Sequence, residues 1–115
     1  MVKSNYNHPL LQPYESFGLL PDYTFGDFEY YLTCGSCPEQ FDVVSRTSKM
    51  QVAYIRLRGG RLYCSVPDVG GQVIYYHDFG DYIGAFYSEE ERLFFLGQIN
   101  EALTNFLDGV CYGYS

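Results

Sequence analysis

The stretch MQVAYIRLRGGRLYCSVP, residues 50–67, decides the fold of this chain. Apolar and polar residues alternate on both sides of Gly59-Gly60, and a period of two is typical of a half-buried β-strand. The glycine pair can adopt the positive φ angles that a two-residue hairpin turn requires. The stretch therefore predicts a β-hairpin with strands at 51–58 and 61–66.

Further strands are predicted on both sides of this hairpin. Residues 28–33 and 40–46 precede it with the same alternation, and residues 72–79 follow it. All the connections are short, whereas parallel pairing needs long crossovers. We therefore expect an antiparallel meander of about five strands over residues 27–79. Its inward positions are Phe28, Tyr30, Leu32, Phe41, Val43, Ala53, Ile55, Leu57, Leu62, Cys64 and Val66.

Residues 88–108 predict one long helix that packs on this sheet. Ser88 followed by Glu91 fits a capping box, and Gly109 is a plausible terminator. Apolar residues recur at spacings of three and four, which gives one stripe on the helix. The stripe consists of Leu93, Leu96, Ile99, Leu103 and Phe106.

Residues 1–24 predict an irregular arm. Pro9, Pro13 and Pro21 prevent a continuous helix, because proline lacks a backbone donor and restricts the residue before it. The apolar residues of the arm still need burial, against this domain or a second copy. The whole chain, 1–115, is thus predicted to be a single α+β domain.

Composition limits the classes of partner. A net charge of -7 disfavours nucleic-acid binding, which depends on Lys and Arg, and permits a basic partner. No apolar run approaches the roughly 20 residues that span a bilayer, and residues 1–17 do not resemble a signal peptide. We expect a cytoplasmic protein with reduced thiols, no membrane contact and no cofactor.

The hairpin carries the strongest candidate binding residues. Three of the seven basic residues lie on it, and the predicted register brings them to one face with two tyrosines. These five residues are Tyr54, Arg56, Arg58, Arg61 and Tyr63. Arginine and tyrosine together can bind phosphate, a carboxylate ligand or an acidic protein surface. Alternatively, the arginines pair with Glu29, Asp42 or Asp68 on neighbouring strands.

Cysteine and histidine offer weaker candidates. Cys34 and Cys37 have the CxxC spacing of a zinc or redox pair, although a structural zinc site needs four ligands and no second pair is present. A reduced turn is the favoured interpretation, and Cys64 is expected in the core. His77 has Asp78 and Asp81 nearby, and we expect a carboxylate to hold it at a strand end rather than a catalytic role.

Residues 38–107 resemble a known group. PEQFDVV (38–44), QVAYIRLRGGRLYCSVPD (51–68) and the closing charged helix are similar to uncharacterised small bacterial accessory proteins carried by phages and integron gene cassettes. The resemblance implies a compact sheet-plus-helix protein, often dimeric, and it brings no functional residues with it.

Three classes of function follow from these observations. The favoured one is a non-catalytic binding or inhibitor protein with a protein partner. The alternative is a small-molecule or anion-binding domain that uses the arginines and tyrosines of the hairpin. A zinc-binding protein or an enzyme ranks last. Surplus apolar residues on the helix and the arm also predict a homodimer.

Overall fold

The structure, a computed structural model, describes residues 13–35 and 38–112, with side chains as far as residue 109. It contains one antiparallel sheet in which each strand pairs with the next along the chain. One helix follows the sheet. The elements are β1 (Tyr23–Phe25), β2 (Phe28–Gly35), β3 (Glu39–Ser45), β4 (Gln51–Arg58), β5 (Arg61–Val66), β6 (Gln72–Asp78) and α1 (Glu89–Tyr112).

The predicted α+β class, the meander and the C-terminal helix are confirmed, but the sheet has six strands. The additional strand, β1, lies at the end of the predicted arm and pairs with the first residues of β2. Three residues are too few to display an alternating pattern, so the sequence did not reveal this strand.

One face of the sheet packs against α1 and forms the core. Leu96, Ile99 and Leu103 of the helix are fully buried. Burial of each such side chain contributes roughly 1.5–3 kcal/mol, so this stripe is a major link between the two layers. The predicted inward positions of the sheet are buried, except Leu32. Leu32 is exposed because β1 pairs with β2 only as far as Tyr30.

The helix departs from prediction at two residues. It continues through Gly109 to Tyr112, so Gly109 does not terminate it. Leu93 is exposed, although it was assigned to the apolar stripe. At 3.6 residues per turn, Leu93 lies about 120° around the helix from Ile99 and therefore faces away from the core.

The helix begins as the capping box predicted. The backbone N–H of Glu91 donates to Ser88 Oγ at 3.1 Å. In return, the Glu91 carboxylate accepts the N–H of Tyr87, one residue before Ser88, at 2.7 Å. These reciprocal bonds satisfy donors that the first turn leaves unpaired.

A buried ion pair that the sequence did not reveal joins α1 to the sheet. Glu39, at the start of β3, is fully buried. Its carboxylate accepts bonds from Arg92 Nε at 2.6 Å and Nη2 at 3.1 Å. It also accepts the backbone N–H of Phe86 at 3.1 Å. Hydrogen bonding to Glu39 is the main reason that the pKa of Arg92 is raised.

The arm, in its described part, lies over the other face of the sheet. Pro13 forms a bridge with Met50, and Tyr14 N donates to Lys49 O at 3.0 Å. The Tyr14 ring lies 4.9 Å from that of Tyr31 on β2. The arm thus covers part of the β2–β4 side of this outer face. The apolar residues after Tyr14 do not share in this packing, since Phe17, Leu19 and Leu20 are exposed.

Candidate binding surface

The β4–β5 hairpin brings the five predicted residues onto the outer face of the sheet. The register places Arg58 opposite Arg61, Arg56 opposite Tyr63 and Tyr54 opposite Ser65. We call Tyr54, Arg56, Arg58, Arg61 and Tyr63 the hairpin face. The sequence pattern predicted this arrangement because side chains alternate strictly along each strand.

The tip of the hairpin is held by backbone contacts that require glycine. Gly59 and Gly60 have φ angles of 60° and 79°. A Cβ on Gly60 would lie 1.6 Å from the carbonyl oxygen of Asp81. Gly60 also donates to Ile83 O and accepts from Phe79 N, both at 2.8 Å. The 79–83 segment therefore fixes the position of the two arginines that flank the tip.

Members of the hairpin face differ in exposure. Arg58 and Arg61 are exposed, and Arg56 and Tyr63 are half-buried. Tyr54 is only 8% exposed, so it supports its neighbours rather than offering its ring to a ligand. The accessible part of the surface consists of three guanidinium groups and one phenol.

Arg58 and Arg61 lie directly opposite each other. Like charges at facing positions of an antiparallel pair destabilise it. Within the part of the chain that the structure describes, no carboxylate lies within 4 Å of either guanidinium group. The hairpin therefore carries two facing positive charges that form no ion pair with a described carboxylate.

Within the described residues, Arg56 also has no carboxylate within 4 Å of its guanidinium group. Its guanidinium bonds to the Tyr63 hydroxyl, and this bond is the main reason that the pKa of Arg56 is raised. Its Nε is out of contact with solvent and has no hydrogen-bond acceptor among the described residues. Buried polar groups are normally satisfied, so an unsatisfied charged donor is unusual.

The alternative prediction, in which acids on neighbouring strands neutralise these arginines, is wrong for the described residues. Glu29 pairs with Lys49 at 3.5 Å. The Gln51 amide donates to Asp42 at 3.2 Å and to Asp68 at 3.1 Å. Each of the three acids therefore has a partner other than the hairpin arginines.

A groove borders the hairpin tip. It is lined by Gly59, Arg61, Asp78, Gly80, Asp81 and Tyr82. Asp78 is the cross-strand partner of Arg61, yet its carboxylate accepts the N–H of Gly80 at 2.8 Å. The Asp81 carboxylate likewise accepts the N–H of Tyr82 at 2.9 Å. The ring of Tyr82 is almost fully exposed beside Arg61.

The predicted cysteine pair falls partly outside the described residues. Cys34 is half-buried near the end of β2, and Cys37 is not described. Within residues 13–35 and 38–112 no group of three or more His, Cys, Asp or Glu side chains is arranged to hold a metal. Cys64 lies in the core as predicted, and burial raises its pKa to about 12.

His77 packs among aromatic rings. Its ring centroid lies 4.6 Å from that of Phe79 and 4.9 Å from that of Phe95 on α1. The expectation that a carboxylate holds this side chain is wrong among the described residues, because Asp78 and Asp81 bond to backbone N–H groups instead. Phe95 lies in this cluster, while its neighbour Phe94 is exposed.

No helix within the described residues is both long and apolar enough to cross a membrane. No protein-family model, curated protein or solved structure matches the chain.

Proposed function

We propose that this is a non-catalytic binding protein whose hairpin face engages an acidic surface on a protein partner. The facing pair Arg58 and Arg61, which has no carboxylate partner within the described residues, is the observation that carries the proposal. A partner's carboxylates would supply the compensation, because arginine binds carboxylate in a bidentate geometry.

The distribution of charge supports this assignment. The other described basic side chains all have acceptors: Arg46 donates to Gly26 O, Lys49 pairs with Glu29, and Arg92 pairs with Glu39. Among the described residues, Arg58 and Arg61 are the basic side chains for which no ion pair or hydrogen bond is found. In a chain of net charge -7, a local positive surface selects the orientation in which an acidic partner can approach.

The nature of the surface favours a macromolecular partner. Pockets for small molecules enclose most of their ligand. Here Arg58, Arg61 and Tyr82 are exposed on the outer side of the sheet. Tyrosine and arginine are enriched in protein–protein interfaces. We further propose an accessory or inhibitor role in the bacterial cytoplasm, in keeping with the resemblance of residues 38–107 to phage and integron cassette proteins.

A partner-capture experiment with matched variants tests the proposal. The test variant is R58S/R61S, and the control is R46S/K49S, which removes two positive charges from the β3–β4 turn, away from the hairpin face. We expect a partner captured by the wild type and the control to bind R58S/R61S at least ten times more weakly, which corresponds to about 1.4 kcal/mol. Raising the salt concentration should weaken capture by the wild type as well.

The free energy of unfolding of the same variants provides a second measurement. R58S/R61S should leave the free energy of unfolding unchanged or slightly higher, because it removes a repulsion in the free protein. A partner that binds R58S/R61S as tightly as the wild type would contradict the proposal. So would equal losses in R58S/R61S and R46S/K49S.

A small anion is the second candidate ligand, because one phosphate or carboxylate could lie between the facing arginines. Thermal denaturation with pyrophosphate separates the two candidates. A bound ligand at a hundredfold excess over its Kd stabilises the folded state by about 2.7 kcal/mol. A rise in Tm that R58S/R61S abolishes would favour the anion, and an unchanged Tm favours the protein partner.

A further inference from the structure

The last strand of the sheet, β6, has an open edge. Its seven residues pair with β5 on one side only. Within the described residues, no loop or helix forms a backbone hydrogen bond to residues 72–78 on the other side. The strand contains neither Pro nor Lys, two residues with which proteins protect exposed edges.

The backbone groups of this edge are oriented for pairing. At the end of the ladder, Phe79 N donates to Gly60 O. Residues of an antiparallel strand alternately direct their N–H and C=O groups to one side and to the other. The groups of Tyr76 and Asp78 therefore point away from β5. The irregularity in the ladder lies between Cys64 and Ser65, which leaves Tyr75–Asp78 regular.

The opposite edge of the sheet is protected. There β1 is only three residues long. Beyond it, Asp22 N donates to Tyr30 O at 2.9 Å, and Asp22 Oδ2 accepts Leu32 N at 2.7 Å. Asp22 thus bonds to two backbone groups of β2 beside the end of β1. The edge at β6 is the longer one, with seven residues against three at β1.

We propose that β6 is the dimer interface of this protein, at which the β6 strand of a second copy pairs antiparallel about a two-fold axis. The pairing extends the sheet across both copies and places both helices on the same side. The interface would lie beside the hairpin face, because Tyr76 and Asp78 are the cross-strand partners of Tyr63 and Arg61. It moves the dimer predicted from the arm and the helix to a different surface.

The charge pattern of β6 fits a second copy. Asp78 is the only carboxylate on the strand, and the strand has no Lys or Arg. In a two-fold pairing centred on Tyr76, Asp78 of one copy faces Ile74 of the other. A register centred on Tyr75 places it opposite Gln72. Neither arrangement brings like charges together, although the whole molecule is acidic.

Apolar side chains border the edge. Val73 and Tyr76 are 53% and 55% exposed. On the helix side, Phe94 is 58% exposed and contacts Phe95, which itself packs on His77 of β6. A second copy at β6 would cover part of this surface and add apolar burial to the backbone pairing.

Molecular mass measured by light scattering over a range of concentrations tests the proposal. The edge variant is V73K/Y76K, and the control is L19K/L20K, which makes the same charge change at two exposed apolar residues of the arm, away from β6. We expect a dimer for the wild type and the control, and at least a tenfold weaker dimer for the edge variant. A monomeric wild type, or a dimer that persists in V73K/Y76K, would overturn the proposal.

Amide hydrogen exchange tests the proposal on the wild type. The result therefore does not depend on whether a variant folds. We expect exchange at Tyr76 and Asp78 to slow as the protein concentration rises, since their N–H groups become bonded across the interface. Exchange at Leu32, on the protected edge, should be independent of concentration. Exchange at Tyr76 and Asp78 that is equally fast at all concentrations would also overturn it.

Discussion

Gly60 shows how one residue positions the hairpin face. Its φ angle is positive, and the carbonyl group of Asp81 lies where a Cβ atom would be. Its two backbone bonds connect the hairpin tip to the 79–83 segment. Because Arg61 follows directly, the orientation of one guanidinium group depends on a residue that has no side chain.

We expect Gly60→Ala to lower the free energy of unfolding by about 1–3 kcal/mol or more, because the methyl group adds a backbone clash to the strain of a positive φ. Urea denaturation measures the change. Gly70→Ala is the matched control: it also has a positive φ, but nothing lies within 4 Å of its added Cβ. Equal losses in the two variants would show that the Asp81 contact is unimportant.

At the scale of elements, the link between α1 and the sheet has an apolar and an ionic part. Leu96, Ile99 and Leu103 supply the first, and the Glu39–Arg92 pair supplies the second. Arg92 also donates to Glu89 at 2.6 Å, and Glu89 accepts the hydroxyl of Tyr23 on β1. The first turn of the helix is thereby connected to β1 and to β3.

Arg92→Gln should therefore be strongly destabilising. The substitution leaves the buried Glu39 carboxylate without its charged partner, which typically costs about 3–5 kcal/mol, and the partial exposure of Arg92 places our expectation near the lower figure. Chemical denaturation of the variant provides the measurement. Arg58→Gln, at an exposed arginine that pairs with no acid among the described residues, should change stability by less than about 0.5 kcal/mol.

A double-variant cycle separates the ion pair from other effects of the substitution. E39Q/R92Q removes both charges and should recover part of the loss seen in R92Q. If the double variant is as unstable as the sum of the two single variants, the pair is not coupled and our explanation is wrong.

The elements that were predicted correctly are those whose sequence patterns lie within one short segment. Alternation over residues 51–66 was sufficient for the hairpin and the positions of its arginines, and Ser88 with Glu91 was sufficient for the start of α1. The Glu39–Arg92 pair could not be predicted, since its members are 53 residues apart and each is ordinary in its own segment. The prediction that Gly109 ends the helix was wrong, because a glycine near the end of a helix does not by itself terminate the helix.

At the scale of the whole molecule, the free energy of unfolding depends on pH through side chains such as the Asp42 carboxylate. Asp42 lies on the outer face, where Tyr14 and Gln51 bond to it. Burial raises the pKa of Asp42, although both of those bonds oppose the change. The folded protein therefore holds this side chain as a carboxylate less favourably than the unfolded chain does.

The Asp42→Asn variant should be more stable relative to the wild type at about pH 7 than at about pH 4. As the pH falls, the wild-type carboxyl group takes up its proton in the folded state first, so the wild type gains stability that the variant cannot gain. Denaturation of both proteins at several pH values measures the difference. A difference that is constant, or that grows on acidification, would contradict the raised pKa.

The shortness of β1, together with the Asp22 contacts to β2 beside it, bears on how far the proposed strand-to-strand association could proceed. A sheet with two available edges could recruit copies at both ends and grow into an open-ended fibre. In the pairing that we propose, one encounter at β6 uses the longer edge of the described sheet, and association would stop at two copies. The short β1 strand and the Asp22 contacts beside it would then keep self-association finite.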